Sequence, residues 1–270
     1  MRFKFPAILL LFFASFLMMH THAEAQVGLS VSPPRVYYSL NAGETGSQKV
    51  LISNVSREHA LNLSLTFGDW KYDEQGNNLM FPPDSLENSC ANWLTVPEGA
   101  YLMLEPGENR EIDLTMNVPV EVAGMDNVQT AMLYVTQMNP VDGVDAQGAA
   151  IRINVRQGIK VYRKGSVPEV KRVEIENLQY DKEDGALRLT FRNTGNIWIN
   201  GEINTTLFNQ STGKELSLET ADFYTMPGDL RLMHIPLGVE LEKGTYIATV
   251  MIDYGDVTTI EAAELQFSYE

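Results

Sequence analysis

Cysteine is almost missing from this chain: Cys90 is the only one in 270 residues. No intrachain disulfide can form, so stability must come from packing and from β-ladders. Cys90 itself reads as a part-buried loop residue in preference to a reactive thiol. Histidine is nearly as scarce, with four in all, two of them (His20 and His22) near the N-terminus. His59 sits in a polar turn and His234 at the end of an apolar run, neither with the His, Cys or carboxylate spacing of a metal site. No glycine-rich phosphate loop occurs, and no serine has a nucleophile-elbow context. These absences argue against an enzyme and imply neither cofactor nor metal. Positive charge is short as well, with 20 basic against 35 acidic residues and a net charge of −15. Such a surface repels nucleic acid and anionic lipid, which removes both as partners. Sustained helical periodicity is also lacking, so helix content should be small.

The N-terminus is patterned differently. Arg2 and Lys4 precede an almost unbroken apolar run from Ala7 to Met19, and Ala23-Glu24-Ala25 has the small-x-small form of a cleavage site. Residues 1–25 therefore read as an export signal, with the mature chain beginning near Gln26 and working as a soluble protein outside the cytoplasm. The run is short for a bilayer span and no later segment is longer, so direct membrane insertion is not expected.

After residue 25 the chain reads as short strands separated by turn signals about every ten residues, the pattern of β-sandwiches. The first series is Gly28–Ser32, Val36–Ser39, Lys49–Asn54, Leu61–Phe67, Tyr101–Leu104, Glu111–Val118, Gln129–Gln137 and Ala150–Tyr162. Lys164-Gly-Ser-Val-Pro168 interrupts it and reads as a joint. A second series follows: Val170–Leu178, Ala186–Asn193, Ile197–Phe208, Glu215–Leu218, Leu230–Pro236, Gly244–Asp253 and Ala262–Tyr269. The fold class is thus all-β, two tandem immunoglobulin-like sandwiches over residues 26–163 and 169–270, joined by 164–168. Tyr246, early in a late strand, stands where such domains use a tyrosine to staple a corner.

The segment Ala150–Tyr162 is long for a strand of a small β-domain. Ile151, Ile153 and Val155 alternate with Arg152, Asn154 and Arg156, which puts an apolar row on one face. Such a strand is either an ordinary sandwich edge or one that can be lent to a partner whose sheet lacks a strand. Arg35, beside the Pro33-Pro34 pair, and Lys160, in the long strand, frame this domain. First and last strands of immunoglobulin-like domains are often neighbours, which would bring the two cations together. Paired cations suit a carboxylate, through charge-assisted hydrogen bonds. The alternative is that both are surface residues making salt bridges worth ~0–1 kcal/mol each.

Several motifs, in order, resemble the periplasmic chaperones of the chaperone–usher pilus pathway, the PapD-like family. Val31-Ser-Pro-Pro-Arg-Val-Tyr-Tyr38 is similar to the family's opening strand with its arginine. Lys49-Val-Leu-Ile-Ser-Asn54 resembles the second strand and its terminal Asn, and Trp70 falls where the family has a tryptophan. Val96-Pro97 and Leu104-Glu-Pro-Gly107 resemble the approach to a Leu-x-Pro-Gly turn. Ala131-Met-Leu-Tyr134, running to Pro140, resembles the penultimate strand, and Ile159-Lys-Val-Tyr-Arg163 the segment with the anchoring lysine. The resemblance covers roughly residues 28–165. It implies that Arg35 and Lys160 hold the C-terminal carboxylate of a client, and that Ile151, Ile153 and Val155 form a donor strand filling the client's open groove. The implied clients are exported, strand-deficient pilus-like subunits, with an outer-membrane usher as the further partner and the periplasm as the location. Val135 departs from the Asn usual in the penultimate strand. The residues read by themselves also allow a secreted structural module in which the long strand is an ordinary edge.

Overall fold

The computed structural model describes residues 28–122, 128–144, 149–238, 241–256 and 258–270. The export segment, residues 1–25, lies outside them. Twelve strands precede residue 165: β1 Leu29–Ser32, β2 Arg35–Ser39, β3 Thr45–Asn54, β4 Leu61–Tyr72, β5 Asn78–Phe81, β6 Leu94–Thr95, β7 Tyr101–Leu104, β8 Asn109–Asn117, β9 Val128–Gln137, β10 Val141–Val144, β11 Ala150–Ile153 and β12 Arg156–Lys164. Eight follow: β13 Val173–Asp181, β14 Ala186–Asn193, β15 Ile199–Asn209, β16 Glu215–Ser217, β17 Ala221–Thr225, β18 Leu230–Pro236, β19 Gly244–Asp253 and β20 Glu261–Tyr269. The chain is an all-β protein of two sandwiches.

In the first sandwich β1-β3-β8-β6 faces β2-β12-β9-β4-β5, with β7 also paired to β4. Pro33 and Pro34 carry the chain from one sheet to the other, because proline has no N–H to continue a ladder. Strand alternation then sorts the side chains. Val36 and Tyr38 of β2, Leu61, Leu63 and Leu65 of β4, Leu133 and Val135 of β9, and Ile159 and Val161 of β12 all enter one core. The intervening residues point to the outer face of the same sheet. Trp70, Tyr72, Met132, Tyr134 and Tyr162 gather there in a separate cluster with Ile197 and Met226 of the second sandwich. This is why β9 is buried along nearly its whole length: one face meets the core and the other is covered.

Asn54 holds the end of β3. Buried to 1% exposure, it donates to the carbonyls of His59, Leu104 and Glu105, and its own oxygen accepts from Ser56 N–H. Cys90 is fully buried in the same core. It is an interior residue where the sequence suggested a part-buried loop position, and burial pushes its thiol pKa up.

The second sandwich sets β13-β14-β18 against β16-β15-β19-β20, with β17 paired to β15. Its core holds Leu187, Leu189, Phe191, Leu207, Phe223 and Val250, with Phe191 and Phe223 edge-to-face at 4.9 Å. Tyr246 donates its hydroxyl to the Glu242 carbonyl at 2.8 Å, the corner staple its position suggested. His59 and His234 are both exposed.

One feature corrects the sequence reading. The strand expected over Ala150–Tyr162 is broken at Asn154–Val155 into β11 and β12, and it runs on to Lys164. β12 pairs with β9, whereas β11 pairs only with β10 in a two-stranded ribbon. The cause lies on the partner strand. Met138 N–H is drawn to the Asn62 carbonyl, and the Asn139 side chain bonds Asn62 N–H and the Ala60 carbonyl. Pro140 then has no N–H to offer. Gln137 N–H still reaches the Val155 carbonyl, but from Thr136 opposite Arg156 to Val141 opposite Ile153 the partner side has two extra residues, so the ladder stops and restarts as β10–β11. Ile151, Ile153 and Val155 consequently do not share one unbroken strand: Ile151 is exposed on the ribbon, Ile153 is half-buried, and Val155 packs on the first core.

Candidate functional site

Arg35 opens β2 and Lys160 lies within β12, and the two are register partners in the only parallel pairing among the described strands. Lys160 N–H donates to the Pro34 carbonyl at 3.1 Å, which fixes that register. Because Val36 and Val161 point into the core, Arg35 and Lys160 both point out of it, onto the face turned toward the second sandwich.

Aromatic rings supply the setting. The Lys160 ammonium lies 4.1 Å from the Trp70 ring centre and 4.2 Å from that of Tyr72, and it donates to the Tyr72 hydroxyl at 2.9 Å. The Arg35 guanidinium lies 4.5 Å over the ring of Tyr224, which the second sandwich contributes on β17. Tyr162 ties the two halves together, with ring centres 5.0 Å from Tyr37, 5.4 Å from Trp70 and 5.2 Å from Trp198. Trp70 is held by a hydrogen bond from its indole nitrogen to the Ala131 carbonyl at 2.9 Å.

The charges are not balanced from within. Among the described residues neither Arg35 nor Lys160 has a carboxylate within ion-pair distance, although the protein is strongly acidic and its other cations repeatedly find partners. Burial, and then the charge of Arg35, bring the Lys160 pKa down to about 8. For Arg35, burial works against the charge, but the facing Tyr162, Tyr224 and Tyr72 outweigh it and the pKa is raised. The Arg35 Nε is buried without a hydrogen-bond partner. Burial raises the pKa values of Tyr72 and Tyr162, keeping both as neutral phenols. Two adjacent cations with unused donors on a partly desolvated floor can accept an anion, and a carboxylate suits the paired donors.

A free backbone edge leads up to this pair. β12 is bonded to β9 throughout but to β2 only from Lys160 onward, and β11 is bonded to β10 alone. On the side away from β9 and β10, Ala150 to Ile159 therefore carries no ladder among the described residues. Within this stretch Arg156 turns its side chain back over β9, its guanidinium 3.6 Å over the Tyr134 ring.

The sequence pointed to Arg35 and Lys160 as possible neighbours, and they are. It did not find Tyr72, Trp198 or Tyr224. Tyr72 and Tyr162 had a local signal, since each lies two residues beyond an identified member of the site (Trp70 and Lys160) and so on the same face. The second-sandwich residues had none.

No protein-family model matches this chain, and no curated protein sequence matches it. Solved structures do. The chain is similar to one in the CsuC–CsuE chaperone–tip adhesion subunit complex of Acinetobacter baumannii, at 13% identity and a TM-score of 0.48 over 88% of this chain and 97% of that one. It is similar to one in the Salmonella enterica SafA pilin–SafB chaperone complex, at 12% identity and 0.46 over 88% and 96%. The E. coli chaperone DraB follows, at 15% identity and 0.44 over 90% and 98%. These are likenesses of fold. Among the described residues no helix is long and apolar enough to cross a membrane, and no group of His, Cys, Asp or Glu is placed to hold a metal ion.

Proposed function

We propose that this chain is a periplasmic, non-enzymatic assembly chaperone that takes up exported, strand-deficient subunits of pilus type. In this reading the free edge from Ala150 to Ile159 is the donated strand, with Ile151, Ile153 and Val155 as its apolar row. Arg35 and Lys160 clamp the client's C-terminal carboxylate. The observation that carries it is the pairing of two uncompensated cations, in register, at the inner end of an unladdered strand edge. A client strand laid along that edge completes its own backbone hydrogen bonds and ends where its carboxylate meets opposite charge. The anchor fixes register, and register matters because a slip of one residue would turn the wrong side chains inward. The break at Asn154–Val155 divides the donor row between the ribbon and the sheet, so the ribbon would have to align with β12 as the client binds. Release would come from exchange at a downstream receiver such as an outer-membrane usher, since the sequence carries no nucleotide-binding loop.

The test is affinity purification of the tagged protein from its native periplasm beside an Arg35→Ala/Lys160→Ala double variant, with mass spectrometry of what is retained. A small exported β-protein held by the wild type, lost from the double variant, and lost again when its own C-terminal residues are removed supports the assignment. Equal retention by both proteins would rule the anchor out.

A further inference from the structure

Arg35 is not mounted by the first sandwich alone, and Lys160 rests on a tyrosine whose adjoining turn the second sandwich holds. Arg35 stacks on Tyr224, and Tyr224 is carried by β17, paired to Asn200 of β15 in the second sandwich. Lys160 donates to Tyr72, the last residue of β4 before the turn that leads to β5. Asp73 closes that turn: its carbonyl accepts from Gly76 N–H, its carboxylate accepts from Asn77 N–H, and its own N–H donates to the Asn77 carbonyl.

The turn is gripped from the second sandwich. Arg231 of β18 donates from its two terminal nitrogens to the carbonyls of Asp73, at 3.0 Å, and Gln75, at 3.3 Å. The next residue, Leu232, donates its N–H to the Glu74 carbonyl at 2.7 Å. Arg231 is 4% exposed and has no carboxylate within ion-pair distance among the described residues. A buried guanidinium is unfavourable unless its donors are used, and here backbone acceptors of the other sandwich take its two terminal nitrogens, while Nε is buried without a partner. Gly76 belongs to the fit from the other side. Its φ is +89°, and a Cβ there would collide with the Arg231 guanidinium.

We propose that the second sandwich is a working part of the anion site, with Tyr224 positioning Arg35 and Arg231, through the Asp73–Gly76 turn and Tyr72, positioning Lys160. The proposal rests on the carboxylate-anchor reading. It makes the two second-sandwich residues positioning groups that touch no client atom, and it ties the strength of the anchor to the seating of one sandwich on the other.

The experiment measures binding of an extended peptide of alternating valine and threonine, made once with a free C-terminal carboxylate and once as the C-terminal amide. Calorimetric titration of the whole mature chain gives the ratio of the two affinities. The wild type should prefer the free acid by about tenfold or more, in line with charge-assisted hydrogen bonding. In Tyr224→Leu and in Gly76→Ala the ratio should fall toward one while the amide affinity stays within about twofold of wild type, because the strand edge is untouched. Arg231→Met should do the same, and Arg231→Lys should recover part of the preference. An undiminished ratio in Tyr224→Leu and Gly76→Ala would overturn the proposal. So would loss of acid and amide binding together, which marks a merely structural role. A wild-type ratio of one would overturn the anion site itself, and this inference with it.

Discussion

Replacing Lys160 by methionine should make the protein more stable. The ammonium is half-buried beside Arg35, and no carboxylate of the described chain offsets it. Its pKa of about 8, against an ordinary 10.5, corresponds to roughly 3 kcal/mol between the charged and neutral forms at about 1.36 kcal/mol per pH unit. Solvent screening of a group still partly exposed cuts this to about 1–2 kcal/mol. Methionine keeps the length of the stem, and its sulfur against Trp70 and Tyr72 replaces a cation–π contact of about 0.5–2 kcal/mol by a sulfur–aromatic one of about 0.3–1.5 kcal/mol. The expected net gain is about 1 kcal/mol, or about 2–4 °C in Tm for a chain of this size. The pH dependence sharpens the test. A base whose folded pKa is depressed binds fewer protons folded than unfolded between about 8 and 10.5, so wild-type stability should rise with pH in that window. The advantage of Lys160→Met should therefore shrink as pH goes from 7 to 9.5. Urea unfolding of wild type and variant, followed by tryptophan fluorescence at both pH values, reads this out. A variant less stable by 1 kcal/mol or more, or a difference that ignores pH, would refute the claim that the site keeps an uncompensated charge at the expense of stability.

Client binding should follow the same titration in the opposite sense. Free-acid peptide affinity should fall as pH rises through about 8, while amide affinity stays level, because Arg35 keeps its charge and the facing Tyr72 and Tyr162 stay neutral; titration at pH 7 and 9 checks this. Asn54→Ala should destabilise the first sandwich by about 2–4 kcal/mol in urea unfolding, since it removes a buried amide that serves three carbonyls and one N–H. The Cys90 thiol should resist an aqueous disulfide reagent in the native protein and react on unfolding; rapid labelling of folded protein would contradict its buried position.

Much of the architecture was legible because β-structure writes a local, period-two pattern. The strands Tyr101–Leu104, Ala186–Asn193, Leu230–Pro236 and Gly244–Asp253 lie where alternation and turn residues placed them. The short strands β5, β6, β10 and β17 were missed. They are two to five residues long, β5 is largely exposed, and pairing with a neighbouring strand defines them more than any pattern of their own. The long apolar row at Ile151–Val155 misled for a related reason: alternation continues through Asn154, but strand continuity depends on a partner. That partner carries two extra residues across Met138–Pro140, where the Asn139 side chain is held by Ala60 and Asn62, far away in sequence.

The sequence by itself determined that this is a disulfide-free, acidic, all-β chain of two sandwich-forming halves, and that Arg35 and Lys160 stand on strands able to be neighbours. Hydrophobic alternation, turn chemistry and charge count are properties of nearby residues, and they survive any arrangement of the halves. Tertiary structure alone decided that the two cations share one register, that no carboxylate of the described chain answers them, and that Tyr224 meets Arg35 while Arg231 holds the turn after Tyr72. Those facts depend on how one sheet face meets another domain, a contact between residues up to 189 positions apart that no local pattern encodes.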